Sequence, residues 1–300
     1  MAQHTSVLLE EALLFLDPKP GNVFVDATLG FGGHAACILE KLGPKGILIG
    51  FDRDAEALLA AKRNLAKFGE QVMFINDRFS RIPQRLQSLG IASAQGVLLD
   101  LGVSSAQLDS PGRGFSFKDD GPLDMRMDAE DSLTAKEIVN DYSKEELRNI
   151  LWTYGEERLA RRFVDRIDSV RQRRDIETTA ELASILWQAA PVKYRYARIH
   201  PATRTFQALR IVVNSEMQEL EKVLLAAPDV LSFGGRLVVI SFHSLEDRMV
   251  KNSFKKFKSE ALGEILTKKP VGAKSRELSE NPRSRSAKLR AFRKRGEADA

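Results

Sequence analysis

Val23-Phe24-Val25-Asp26-Ala27-Thr28-Leu29-Gly30-Phe31-Gly32-Gly33-His34-Ala35 is the stretch on which the fold of this 300-residue chain turns. A short apolar run stops at an acid, a glycine-rich turn follows, and residues able to open a helix come next. That order predicts a buried strand, then a loop whose backbone passes close to a ligand, then a helix whose N-terminus faces the same ligand. Moving outward, the pattern recurs. Ile47-Leu48-Ile49-Gly50-Phe51-Asp52, Val72-Met73-Phe74-Ile75-Asn76-Asp77 and Gly96-Val97-Leu98-Leu99-Asp100 are again apolar runs closing on a carboxylate, with helical stretches between them. Strands that are apolar on both faces and alternate with helices imply a parallel sheet covered on both sides, so the fold class is α/β. In an open sheet of this kind the ligand crevice lies at the carboxyl ends of the strands, which gathers Asp26, Asp52, Asp77 and Asp100 on one edge.

Before the first strand, Val7, Leu8, Leu14 and Phe15 have helical spacing in a segment from about Ser6 to Phe15, stopped by Asp17-Pro18. After Asp100 the next convincing strand is Gly235 to Phe242, too far along for a single crossover helix. The gap reads as helices. Thr134 with Glu137, Ser143 with Glu146 and Thr178 with Glu181 have the spacing at which two side chains satisfy the orphan N–H groups of a first turn. A long helix from about Ala202 to Ala227, ended by Pro228, serves as the crossover back to the sheet. This organisation predicts a discontinuous sheet domain, residues 1–105 and 201–300, and an inserted helical substrate-recognition domain, residues 106–200. The insertion opens with a glycine-rich loop, Pro111-Gly112-Arg113-Gly114 and Gly121-Pro122, suited to a hinge or lid. Beyond the fifth strand, Ser244 to Phe257 reads as a helix, and Glu264 to Val271 and Ala287 to Arg295 as two closing strands.

No apolar run approaches the roughly 18–20 residues of a membrane span, the longest clear one being Leu237 to Phe242, and Glu10 and Glu11 stand where an export signal is apolar. No membrane association is expected. The single cysteine, Cys37, excludes an internal disulfide and a Cys-rich zinc module and fits a reducing, cytoplasmic compartment. The net charge of +5 is unevenly spread. Residues 251–296 hold 15 Lys/Arg against 4 Asp/Glu, so the rest of the chain is net acidic. A basic segment on a folded enzyme points to a polyanionic partner.

The glycine turn alone does not choose a ligand, since with Ala35 it also satisfies the dinucleotide fingerprint. Asp52, at the end of the second strand, is placed to accept hydrogen bonds from ribose hydroxyls in either case. Three features favour S-adenosylmethionine. Asn76-Asp77-Arg78-Phe79 offers a mixed surface for a purine, and Asp100 offers a carboxylate to an ammonium or a base amino group. A dinucleotide site needs a second mononucleotide half after the fourth strand, where this chain has its insertion. A dinucleotide-dependent oxidoreductase and a non-catalytic binding protein that retains the pocket remain the competing readings. His4, His34, His200 and His243 lack paired metal-ligand spacing, so no metal is expected. Cys37 lies in the helix after the glycine turn, which leaves no thiolate at the fourth strand for attack on a pyrimidine ring.

Longer blocks carry a resemblance. Asp26 to His34, Asp100 to Asp109, Arg113 to Phe117, Gly121 to Met127, Tyr154-Gly155-Glu156-Glu157, His200 to Arg210 and Ser241 to Arg248 resemble the bacterial small-subunit ribosomal RNA cytosine-N4 methyltransferase family (MraW/RsmH) along essentially the whole chain. The resemblance implies a class I S-adenosylmethionine-dependent methyltransferase, with a Rossmann-like sheet and an inserted helical domain. It also implies S-adenosyl-L-methionine as donor and a decoding-site cytidine of 16S ribosomal RNA, in the small ribosomal subunit, as target. The family's cofactor contacts fall on Gly32, Gly33, His34, Asp52, Phe79, Asp100 and Gln107, all of matching residue type.

A cytosine amino nitrogen is a poor nucleophile because its lone pair is delocalised into the ring, so an acceptor must orient it. Asp100 is the candidate catalytic acceptor, although many amino methyltransferases carry Asp/Asn-Pro-Pro-aromatic there and this chain has Asp100-Leu101-Gly102-Val103. On the substrate side, Lys193-Tyr194-Arg195-Tyr196-Ala197-Arg198 interleaves rings with cations, and Arg204 and Arg210 follow. Arg195, Arg204, His243, Ser244 and Arg248 are the candidate RNA contacts. For His243 and Ser244, at the ligand edge, capping of the next helix is the equal alternative. Arg161, Arg162, Arg166, Arg171, Arg173 and Arg174 alternate with Asp165, Asp168 and Asp175, as on a solvated face.

Overall fold

The computed structural model describes residues 6–296; His4 lies outside them. The chain runs α1 (Leu9–Leu16), β1 (Val23–Asp26), α2 (Gly33–Leu42), β2 (Ile47–Asp52), α3 (Ala55–Asn64), β3 (Val72–Asn76), α4 (Ile82–Ser88), β4 (Ala94–Asp100). Seven helices follow: α5 (Ser105–Asp109), α6 (Ala135–Asp141), α7 (Lys144–Gly155), α8 (Ala160–Arg171), α9 (Thr179–Ala189), α10 (Val192–Arg195) and α11 (Thr203–Val213). It ends with α12 (Glu216–Val230), β5 (Leu231–Ser241), α13 (Ser244–Ser259), β6 (Gly263–Ile265), α14 (Ser275–Glu280) and β7 (Lys288–Lys294).

Among the described residues the strands form one sheet in the order β3-β2-β1-β4-β5-β7-β6. Pairing is parallel from β3 through β5 and antiparallel at β5–β7 and β7–β6. The α/β expectation, a Rossmann-like class I methyltransferase sheet with an inserted helical domain, is borne out. A dinucleotide enzyme's sheet continues with a parallel sixth strand, whereas here the neighbour of β5 is the reversed β7. The strand order turns at β1 and β4, and this topological switch point places the crevice at their carboxyl ends.

The apolar runs are continuous because each strand has two buried faces. Val25, Ile49, Phe51, Leu99 and Val239 point to the side covered by α4, α12 and α13. Their neighbours Phe24, Leu48, Leu98, Val238 and Ile240 point to the side covered by α1, α2 and α3. Each such side chain contributes about 1.5–3 kcal/mol by leaving water, so a one-residue slip of register would forfeit several at once.

The compact units divide at Gly102/Val103 and at Glu216/Met217. The second division is later than the expected boundary after residue 200, because α11 belongs to the inserted unit: Phe206, Leu209 and Val213 lie in that unit's core with Leu147, Leu151, Phe163 and Leu186. The long helix expected from Ala202 to Ala227 is correspondingly two helices. Asn214 is fully buried; its amide donates to the carbonyls of Met125 (2.7 Å) and Arg210 (2.9 Å), and its Oδ1 accepts from Met127 N–H (2.7 Å). Ser215 then takes a left-handed conformation (φ 51°), which stops α11. Pro228 lies inside the end of α12, which continues to Val230. Capping boxes form at Thr134/Glu137 and Ser143/Glu146, while Thr178 caps α9 and Glu181 turns instead to the Glu177 N–H (3.1 Å). Of the closing strands, β7 forms as expected, but only Gly263–Ile265 pairs as β6, with Val271 reduced to an isolated bridge to Leu289. No helix among the described residues is long and apolar enough to cross a membrane.

Candidate active site at the sheet edge

The turn after β1 is a cradle closed to side chains. Gly32 has φ 83°, and a Cβ there would meet Leu65 Cδ1 at 2.8 Å; a Cβ on Gly33 would collide with Ser6 Oγ. No side chain caps α2, whose N-cap is Gly32. The first turn of a ten-residue helix therefore offers its N–H groups and dipole to an anionic oxygen.

Asp52 stands at the end of β2, level with Asn76 of β3. Its Oδ2 accepts from the Gly30 N–H (2.8 Å) and its Oδ1 from the Asp54 N–H (2.9 Å), so the glycine turn and the carboxylate hold each other in place. Burial pushes its pKa up to about 6, against the pull of those two backbone donors. Each oxygen retains a lone pair with which to accept from a diol. Asn76 donates to the carbonyls of Asp52 (2.9 Å) and Arg53 (3.1 Å), fastening the ends of β2 and β3 together. Phe79, half-buried three residues after β3, packs against the core cluster that holds Ile82 and Leu86. Asp77 differs from the other strand-end acids: it pairs with Arg85 (2.7 Å) and caps its own turn by accepting from Arg78 N–H.

At β4 the Asp100 N–H donates to Thr28 Oγ1 (2.6 Å), which ties the first and fourth strand ends. Asp100 is partly exposed, yet its Oδ1 is sealed from solvent with no hydrogen-bond partner. Its Oδ2 lies 3.6 Å from His34 Nδ1, beyond hydrogen-bond range. The buried His34 ring is oriented from its other side, where Nε2 donates to the Val7 carbonyl (3.0 Å). Burial, together with the charges of Asp26 and Glu246, raises the Asp100 pKa well above the usual carboxylate range. Asp26, 1% exposed, is pushed up to about 7 by burial and by the charge of Asp52, opposed by the Thr28 N–H it accepts (3.2 Å). This crowd of acids is a site short of positive charge, relieved by a cationic ligand.

The edge after β5 is structural in the first instance. His243 is the N-cap of α13, its Nδ1 accepting from the Glu246 N–H (3.3 Å), while Glu246 Oε2 accepts from the N–H groups of Phe242 (2.8 Å) and His243 (3.2 Å). The capping alternative is thus the geometry observed; Ser244 and Arg248 follow on the first turns of α13. In the inserted unit Gln107 is buried at the third position of α5, its side chain accepting from the Ser104 N–H (3.0 Å) in a capping box. Arg195 is turned onto the carbonyls of Ala190 (2.9 Å) and Gln188 (2.8 Å). Arg204 donates to the Glu156 carbonyl (3.0 Å), and Arg210 is paired with Glu216 (2.7 Å).

The sheet unit therefore brings together Gly32, Gly33, His34, Asp52, Phe79 and Asp100. Asp26, gathered at this edge by its strand, joins them, and the structure adds Thr28 and Glu246, which were not singled out. For Glu246 the signal was available, since His243 to Glu246 has capping-box spacing; for Thr28 it was not, because its partner lies on another strand. The set fits a ligand with a diol, a flat ring, a carboxylate and a positive charge.

The sequence matches the MraW methylase family over residues 1–295. Ribosomal RNA small subunit methyltransferase H of Geotalea uraniireducens is 48% identical over 306 residues, covering 97% of this chain and 98% of its own length. The protein of the same name from Pelobacter propionicus is 49% identical over 308 residues, covering 97% and 98%. That from Trichormus variabilis is 50% identical over 294 residues, covering 98% and 92%.

Proposed function

The chain belongs to the MraW methylase family, and from that premise we propose that it methylates the exocyclic N4 amino group of a decoding-site cytidine in 16S ribosomal RNA of the small ribosomal subunit, with S-adenosyl-L-methionine as donor. The observation that carries the chemistry is the partly exposed Asp100 carboxylate at the end of β4, beside a glycine cradle and a strand-end Asp52. Those residues fit the donor. Asp52 holds the ribose, Phe79 lies against the adenine, and Gly32, Gly33 and His34 meet the methionine moiety; Gln107 is assigned to the donor by the family resemblance alone. When bound, the donor supplies an electrophilic methyl on a sulfonium, whose positive charge suits the acidic edge.

Asp100 accepts an N–H of the cytosine amino group and so aims the nitrogen lone pair. One proton must leave that nitrogen after transfer, and a carboxylate whose pKa is raised by burial is a stronger base for it than an exposed one. Cys37 plays no part: it lies on α2, and burial pushes its thiol pKa up, away from thiolate. The RNA is met by positive charge on the sheet unit. Lys251, Lys255, Lys258, Lys268 and Lys269 are exposed and have no carboxylate partner among the described residues. Such a substrate and a lone cysteine both fit the cytoplasm.

The test is labelled-methyl transfer to unmodified small subunits followed by nucleoside analysis. N4-methylcytidine is expected; 5-methylcytidine, or no transfer, overturns the assignment.

A further inference from the structure

The segment that interleaves rings with cations is sorted by the structure into an inward and an outward set, both within the inserted unit. Tyr194 turns inward: its hydroxyl donates to Glu157 (2.9 Å), and its ring meets Phe163 edge-on at 6.4 Å. Tyr196 turns outward and is 79% exposed, between the exposed Val192 and Ile199. It is not a loose side chain on a loose loop. Its ring stands edge-on to Trp187 at 5.9 Å, Trp187 stacks on His200 (5.2 Å, 19°), and His200 leans on Phe117 (4.8 Å). Phe117 in turn meets Phe206 of the unit's core at 4.8 Å. The His200 ring is held as an acceptor by the Ala202 N–H (3.2 Å), and burial lowers its pKa, so this column of rings is uncharged.

A ring braced from behind and open to water, on a segment with two more exposed apolar side chains, is an unfilled contact surface. Its charge says what fills it. Lys193 and Arg198, on the same segment, are exposed and have no carboxylate partner among the described residues. Aromatic faces alternating with cations match a single-stranded nucleic acid, whose bases stack while its phosphates pair. Bracing lowers the entropy lost when the base arrives.

We propose that Tyr196 is a stacking platform for one unpaired nucleotide of the substrate RNA outside the reacting cytidine, with Lys193 and Arg198 on its phosphates. The assignment rests on the RNA-methyltransferase reading and adds to it a site for a second nucleotide. Every base has a π-face, so the platform tolerates any base and discriminates unpaired from paired strands.

Two measurements test it. In steady-state transfer to small subunits, Tyr196→Ala raises KM about tenfold with kcat and donor affinity unchanged, and Tyr196→Phe or Tyr196→Trp restores the wild-type KM, because the ring and not the hydroxyl is needed. In Trp152→Phe protein, Trp187 is the single indole, since the chain has two tryptophans. Titration with a short unstructured oligoribonucleotide then quenches its fluorescence saturably, and adding Tyr196→Ala abolishes the quench. An unchanged KM in Tyr196→Ala overturns the proposal. So does a raised KM with no quench by any oligoribonucleotide, which assigns the ledge to a ribosomal protein. If wild-type enzyme makes no N4-methylcytidine, the parent reading fails on its own, and the titration still decides whether Tyr196 takes a nucleotide.

Discussion

The strand-end edge of the sheet unit and the outer surface of the inserted unit are built from opposite materials. At the edge, Asp26, Asp52 and Asp100 crowd together with the buried Glu246, and burial and neighbouring charge raise the pKa values of the three aspartates. On the inserted unit, the 192–199 segment exposes the cations Lys193 and Arg198, and the rings of Trp187 and Tyr196 are braced rather than buried. The contrast teaches a division of labour. Buried acids with raised pKa values are a costly arrangement that a small cationic ligand relieves, whereas exposed cations and rings cost little and suit a large polyanion.

The largest effect expected from breaking the acidic side is at Asp100. Asp100→Asn keeps the shape and removes the base; methyl transfer at saturating donor is expected to fall at least 100-fold in single-turnover assays, with the loss of donor affinity read separately by calorimetry. Wild-type transfer in that variant removes Asp100 from the mechanism.

Asp26 sharpens the claim that the edge is destabilising by itself. Its folded pKa of about 7 lies above the unfolded value, so its stabilising contribution is full below about pH 4 and is lost as pH rises through 7. Asp26→Asn is therefore expected to be more stable than wild type by about 2–4 kcal/mol at pH 8, the difference vanishing near pH 4, in denaturant melts across that range. Equal stabilities at pH 8 would show that the acid is not strained.

A smaller effect belongs to the backbone. Gly32→Ala forces a Cβ into the left-handed region and against Leu65, and is expected to cost about 1–2 kcal/mol in thermal or chemical unfolding.

A third region, the exposed lysines near the C-terminal end of the sheet unit, is broken by salt. Five exposed lysines on as many phosphates predict that log affinity for RNA falls against log salt with a slope of roughly −3.5 to −4.5, and each Lys→Gln flattens it by a little under one. A flat response contradicts the electrostatic account.

These two regions also differ in how far they could be read from residues alone. The ends of β1 to β4 were legible because a buried strand stops where an acid must reach the edge, and Asp52 and Asp100 came with them. The start of β5 at Leu231 was hidden: Ser232-Phe233-Gly234-Gly235 has the composition of a turn, and only pairing of Leu231 with Ala94 across an irregular register makes it strand. The break between α11 and α12 was hidden for the same reason, since Asn214 stops the helix through partners on Met125 and Met127, far away in sequence. Interleaving of rings and cations marked the 193–198 segment, but not that Arg195 would turn to the backbone while Tyr196 turned to water. Neither local propensity nor spacing encodes which face of a short helix a neighbouring helix will cover.

The most direct measurement is calorimetric titration of S-adenosylmethionine into wild-type and Asp52→Ala protein between pH 5 and 8. Wild type is expected to bind with affinity that declines as pH falls through about 6, where Asp52 takes up its proton, and Asp52→Ala to lose about 1.5–3 kcal/mol together with the part of the pH dependence centred near 6. Equal binding by the two proteins at every pH, or none by either, contradicts the assignment of the sheet edge to the donor.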